Sequence, residues 1–192
     1  MHKLILASAS PRRQELMQNL GLTFTVDVSG ADESAIPQDL PPALYVQELA
    51  ALKCASVASG YKSGLVIGAD TVVLFNGQIL GKPIDSADAR HTLSSLSGHT
   101  HAVYTGIAVC DAATGKMVTA AECTRVTFGK LSDAEIDAYI ASGEYADKAG
   151  SYGVQGRAGR FVSHIEGDFF NVVGLPVYRL KCLIRDEFEI LI

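Results

Sequence analysis

Four short segments of this chain hold most of the residue types able to do chemistry. Ser8-Ala9-Ser10-Pro11-Arg12-Arg13 stands between a short apolar run and a helix-like stretch. A helix start presents unpaired backbone N–H groups and the positive end of the macrodipole, so it attracts anions. Two hydroxyls and two guanidinium groups there suit a phosphate, since a charge-assisted bond contributes about 1.5–3 kcal/mol. The same residues would also serve a capped helix with two solvated arginines, and successive helix positions diverge by about 100°, so both arginines need not face one ligand. The second segment, Leu65 to Val73, sets Asp70 inside a run that is otherwise apolar. An ionised carboxylate there is costly unless hydrogen-bonded, paired or bound to a metal. It can act as general base on a water, as a magnesium ligand, or as the cap of a turn. An aspartyl-nucleophile phosphatase would need a second Asp two residues on, and Val72 occupies that place.

The third segment, Gly77 to Pro83, resembles a Walker A loop but fails twice. Three residues instead of four separate Gly77 and Gly81, and Pro83 replaces the Ser or Thr that holds magnesium. Lys82 remains a cation in a loop after the Asp70 strand. The fourth segment, Asp147 to Gly156, joins glycines, which allow close backbone approach, to Lys148 and Gln155. The Gln155 amide both donates and accepts, as reading a base edge requires. Gly153, Gly156 and Gly159 are spaced three apart and do not make a dinucleotide fingerprint. His2, His91, His99, His101 and His164 form no metal pattern. His99 and His101 would share one face of a strand, and both are expected at the solvent.

The elements that must position these groups follow from pattern. Lys3–Ala7 reads as a strand covered on both faces, and Ser10-Pro11 as the start of a helix over Arg12–Leu20, stopped by Gly21. A second strand is expected over Phe24–Val28, and a longer helix opened by Pro41-Pro42 with Gly60 at its end. Leu65–Phe75 is the most β-like stretch, turning at Asn76-Gly77 into Gln78–Leu80. Ser86 is expected to cap a helix ending at Gly98. Ala102–Asp111 and Met117–Phe128 read as a long hairpin through Thr114-Gly115. Ser132 and Glu135 form a capping box for a helix over Asp133–Ser142 with Gly143 as its stop. A glycine-rich loop over Gly150–Gly159, a strand over Phe161–Ile165 and a helix over Pro176–Glu187 complete the chain. Strands and helices intermix with one hairpin, which predicts mixed α/β architecture.

Composition narrows the function classes. The 192 residues suit one domain, or two small lobes sharing a core. With 16 basic and 21 acidic residues, the net charge of −5 disfavours a nucleic acid polymer or an anionic membrane as partner. Cys54, Cys110, Cys123 and Cys182 are widely spaced, which predicts packed, reduced thiols. The N-terminal apolar run is too short for a signal peptide core, and no stretch has the roughly 18–20 apolar residues of a membrane helix. A cytoplasmic protein is expected.

Taken in order, these segments resemble the Maf family of nucleoside triphosphate pyrophosphatases. The matching stretches are SASPRR (8–13), DE (32–33), LAALK (49–53), GADTVV (68–73), GKP (81–83), TG (105–106), TRVTF (124–128), EIDAYIASGE (135–144), DKAGSYGVQG (147–156) and NVVGLP (171–176). Tyr145, and Phe169-Phe170 before Asn171, depart from the usual pattern. The resemblance implies hydrolysis between the α- and β-phosphates, a divalent cation (Mg²⁺ or Mn²⁺), and a small nucleotide as the partner molecule. It implies one domain over 1–192: a mixed β-sheet with flanking helices and a substrate cleft between two lobes, similar to the inosine triphosphate pyrophosphatases. By resemblance Asp70 is the proton acceptor and a metal ligand with Glu33. Lys82 also falls in the catalytic set, and Ser8, Arg13, Lys53 and Lys148 hold phosphates. Arg12, Thr71 and Gln155 match the branch acting on dTTP and UTP; the sister branch acting on 7-methyl-GTP carries Trp, Gln and Glu there. A homodimer is suggested on the same basis. The competing expectation is a nucleotide-binding regulator of cell division or shape with little turnover.

Overall fold

The computed structural model describes residues 3–192, so His2 lies outside the described residues. Its strands are β1 (Leu4–Leu6), β2 (Phe24–Val26), β3 (Leu65–Phe75), β4 (Gln78–Leu80), β5 (Thr100–Asp111), β6 (Met117–Phe128) and β7 (Val162–Glu166). Its helices are α1 (Pro11–Asn19), α2 (Pro42–Ala58), α3 (Ser86–Leu96), α4 (Asp133–Ile140), α5 (Phe169–Val173) and α6 (Val177–Phe188). The strands run β2-β1-β3-β5-β6-β7, with β4 beside β3. Parallel pairing of β1 with β2 and β3 coexists with antiparallel β3–β4 and β6–β7. The architecture is therefore the mixed α/β expected from sequence. Among the described residues no helix is long and apolar enough to cross a membrane.

Two compact units divide the chain. The first comprises Met1–Asp70, Thr105–Glu122 and Gly174–Ile192. Within it β1 is buried at every position, as a continuous apolar run requires. Helix α2 turns Val46, Leu49, Ala50, Cys54 and Val57 inward, the spacing of one helix face. Two glycines let it settle directly on the strands. A Cβ at Gly68 would strike the Ala50 carbonyl oxygen, and one at Gly106 the Val46 carbonyl oxygen. The backbones of α2, β3 and β5 are thus closer than any side chain would allow. None of the four cysteines is in a disulfide; Cys54 and Cys110 are buried, and burial pushes the Cys54 thiol up to about 12.

The second unit comprises Thr71–Tyr104 and Cys123–Val173. Its core gathers Val73, Leu93, Leu96, Val126, Phe128, Ile136, Tyr139 and Phe161. The capping box of α4 forms as expected from Ser132 and Glu135. Helix α3 differs: its cap is Asp85, whose Oδ1 accepts from the Asp88 N–H at 2.8 Å, while Ser86 is the first helical residue. Asp and Ser cap about equally well, so the sequence alone does not decide between the two neighbours. Strand β7 starts one residue late because Phe161 closes a 3-10 turn, Arg157–Phe161. Helix α5 has no signature in the sequence, since five residues are too few to display a helical period. Asp168 starts it, accepting from the Phe170 N–H at 2.8 Å, and the buried Asn171 anchors it by donating to the Val103 carbonyl at 3.0 Å.

Candidate active site

In the first unit the chain leaves β1 through Ser8, which is buried. The Ser8 hydroxyl accepts from the Arg13 Nη1 at 3.0 Å and from the Ser10 N–H at 3.3 Å. Arg13 Nε donates to the Gly174 carbonyl at 2.7 Å, so the guanidinium is clamped on two sides. Burial draws the Arg13 pKa below its ordinary value, Asp70 and Glu33 oppose that shift, and Arg12 adds to it. Ser10 occupies the N-cap position of α1, yet its side chain makes no capping bond. The N–H groups of that first turn keep their attraction for an anion instead of being quenched by the serine.

Asp70 lies on β3 with a half-buried side chain, and the Lys53 ammonium donates to its Oδ1 at 2.6 Å. The same Lys53 Nζ stands 3.1 Å from Glu33 Oε1. Lys53 projects from α2, the helix seated on β3 by Gly68, which explains how a lysine seventeen residues upstream reaches the carboxylate. Glu33 is placed by a 3-10 turn, Glu33–Ala35, capped where Asp32 Oδ1 accepts from the Ser34 N–H at 3.0 Å. One residue of this neighbourhood escaped the sequence reading. Tyr45 lies two helical turns before Lys53, and its phenol pKa is raised by burial first and then by the charges of Asp70 and Glu33. The eight-residue step from Tyr45 to Lys53 along α2, on one helix face, was the available signal.

The two carboxylates suit a divalent cation. Both reach one cationic atom, Lys53 Nζ, and both offer hard oxygen donors. Among the described residues no group of three or more His, Cys, Asp and Glu is gathered to hold a metal. A cation on Glu33 and Asp70 would therefore keep water or phosphate oxygens in its remaining positions, as Mg²⁺ commonly does.

In the second unit Thr71 follows Asp70 on β3 and is half-buried, with its side chain on the opposite face of the strand. Lys82 is exposed after β4. The Gly150 N–H donates to the Gly81 carbonyl at 3.0 Å, which ties the GKP segment to the glycine-rich loop. Lys148 Nζ donates to Asp147 Oδ1 at 2.6 Å and to the Glu144 carbonyl. Its stem passes over Gly153, where a Cβ would lie 2.6 Å from Lys148 Cε. Glu144 Oε2 accepts the Arg157 N–H at 2.9 Å, and a Cβ at Gly156 would fall on that oxygen. The glycines of this loop thus make room for Lys148 and Glu144, and Gln155 is presented exposed between them.

The expectation of two solvated histidines fails for one. His99 is exposed in the turn after α3, but His101 on β5 is buried, with its Nε2 2.7 Å from the Tyr152 hydroxyl. Burial lowers His101 to about 4 and raises Tyr152. Because His99 precedes β5, the two do not share a strand face. His101 instead alternates in register with the buried Val103 and Thr105, a pattern that pointed inward.

Comparison with known proteins gives a consistent result. Residues 3–187 match the family model described as Maf-like protein. A dTTP/UTP pyrophosphatase of Moorella thermoacetica is 51% identical over 184 residues, covering 96% of this chain and 94% of that protein. A dTTP/UTP pyrophosphatase of Pseudoalteromonas translucida is 52% identical over 181 residues, covering 94% of each. Among solved structures, a nucleoside-triphosphatase / dITP/XTP pyrophosphatase of Mycobacterium abscessus aligns at 15% identity with a TM-score of 0.42, covering 67% of this chain and 75% of that one. Likeness at that level bears on neither the fold nor the chemistry of this chain.

Proposed function

The chain belongs to the family of Maf-like proteins, and from that premise we propose that it hydrolyses nucleoside triphosphates, dTTP and UTP by preference, to the monophosphate and pyrophosphate. The observation that carries the reading is the Asp70 carboxylate, half-sunk in β3 and held by Lys53 beside Glu33. It is supported by relatives about half identical over nearly their whole length and named dTTP/UTP pyrophosphatases.

Hydrolysis of a phosphoanhydride asks for charge neutralisation and a positioned water. Asp70 orients the water and accepts its proton. Lys53, donating to Asp70 at 2.6 Å, holds that carboxylate in position in the nucleotide-free protein. Arg13, clamped by Ser8 and Gly174, presents a guanidinium whose rotamer is already fixed, so little entropy is lost when a phosphate oxygen docks. A divalent cation, Mg²⁺ or Mn²⁺, on Glu33 and Asp70 would neutralise the triphosphate and lower the pKa of a bound water. Lys82 and Lys148 act on the phosphates, and Arg12, Thr71 and Gln155 on the choice of base, in the roles the family resemblance assigns. Nucleoside triphosphates are cytoplasmic metabolites, so the activity is proposed for that compartment, in a homodimer.

Product analysis tests the reaction type. With Mg²⁺, dTTP and UTP are expected to yield the monophosphate and pyrophosphate in equal amounts, faster than CTP or GTP. Formation of a nucleoside diphosphate and inorganic phosphate would replace this reading with a different phosphohydrolase.

A further inference from the structure

Lys53 faces two demands. Its ammonium donates to Asp70 at 2.6 Å and stands 3.1 Å from Glu33, so one positive charge already serves the two carboxylates proposed to hold the cation. A divalent ion on the same oxygens would sit within a few ångströms of that ammonium, and like charges so close repel strongly in a partly desolvated site. The repulsion cannot be relieved by moving the helix. Gly68 brings α2 into backbone contact with β3, so Lys53 can leave only by swinging its side chain. Arg13 adds positive charge in the same unit and is tied to Ser8 and Gly174. In the nucleotide-free protein a cation therefore gains little from Glu33 and Asp70. A triphosphate changes this, because it gives the ammonium another anionic partner.

We infer that Lys53 couples the two ligands: it occupies Glu33 and Asp70 until a triphosphate draws it away, so the cation enters with the nucleotide and not before it. This rests on the proposed pyrophosphatase reading of the same site. Coupling between sites is reciprocal, so the cation raises nucleotide affinity by the factor by which the nucleotide raises cation affinity.

The test is a Mn²⁺ titration of nucleotide-free protein followed by electron paramagnetic resonance, on wild type, Lys53→Met and Lys53→Gln. Both variants should bind Mn²⁺ about tenfold tighter or more than wild type, within the usual range of coupling factors. Adding Asp70→Asn to Lys53→Met should abolish the gain. Variants that bind Mn²⁺ no tighter than wild type overturn the inference, as does a gain that survives Asp70→Asn. Wild type alone supplies a second arm: its affinity for a UTP analogue with an imido bridge between the α- and β-phosphates should rise about tenfold or more with Mn²⁺. Equal affinity with and without Mn²⁺ overturns the coupling whatever the variants do. Normal pyrophosphate release from UTP alongside unchanged Mn²⁺ titrations would sink the coupling and leave the enzyme reading intact. Tight, Mn²⁺-coupled analogue binding without pyrophosphate release would do the reverse.

Discussion

Asp70 shows what a single residue discloses in sequence. A carboxylate in an apolar strand announces that it needs a partner, and the partner is present, but no spacing rule points to Lys53 on a different element. Glu33 was legible only through the family motif, since an Asp-Glu pair in a polar stretch resembles any exposed loop. The family resemblance makes Lys148 a phosphate ligand, and the fold shows its ammonium engaged by Asp147 and the Glu144 carbonyl, partners that lie too close in sequence to stand out as a cluster. Gln155 permits a sharp prediction. Gln155→Glu exchanges a group that donates and accepts for one that only accepts. Its kcat/KM for dTTP and UTP should fall roughly five- to a hundredfold, the effect of leaving one polar partner unmatched. Initial rates on both substrates check this, and unchanged values would remove Gln155 from base recognition.

Elements were read more securely than their junctions. Strand β3 spans Leu65–Phe75, the whole of its β-like run, and the α4 capping box forms from the residues that predicted it. What sequence could not display were contacts between elements far apart in the chain. The glycines under α2 are the clearest case. Gly106→Ala would place a methyl group on the Val46 carbonyl, which backbone cannot yield cheaply. A loss of about 1–3 kcal/mol is expected in urea unfolding, as for an overpacked core. His101 is the second case, because an inward histidine is recognisable only once β5 is known to alternate from Thr100 onward. Its folded pKa of about 4 lies below its ordinary 6.5. Between those values the unfolded chain binds a proton that the folded one refuses, so stability falls as pH drops from about 6.5 to about 4, by roughly 3 kcal/mol at most. His101→Gln, which cannot titrate, should flatten the pH dependence of unfolding over that window. An unaltered slope would assign the acid sensitivity to other groups.

At the scale of the whole molecule, the net charge of −5 describes a surface poorly suited to polyanions. Arg13, Lys53 and Lys148 are already held by hydroxyl, carbonyl or carboxylate oxygens of the chain itself. Under the proposed pyrophosphatase reading, Lys53 meets a phosphate by exchanging its carboxylate partners, while Arg13 keeps the clamp that fixes it. A molecule arranged in this way needs Asp70 for turnover more than for binding. The most direct measurement is pyrophosphate release from dTTP with Mg²⁺, run in parallel with dTTP binding, for wild type and Asp70→Asn. Loss of a proton acceptor should cut the rate at least a hundredfold while the variant still binds dTTP. Release by Asp70→Asn at the wild-type rate, or wild type that binds dTTP without releasing pyrophosphate, would contradict the account.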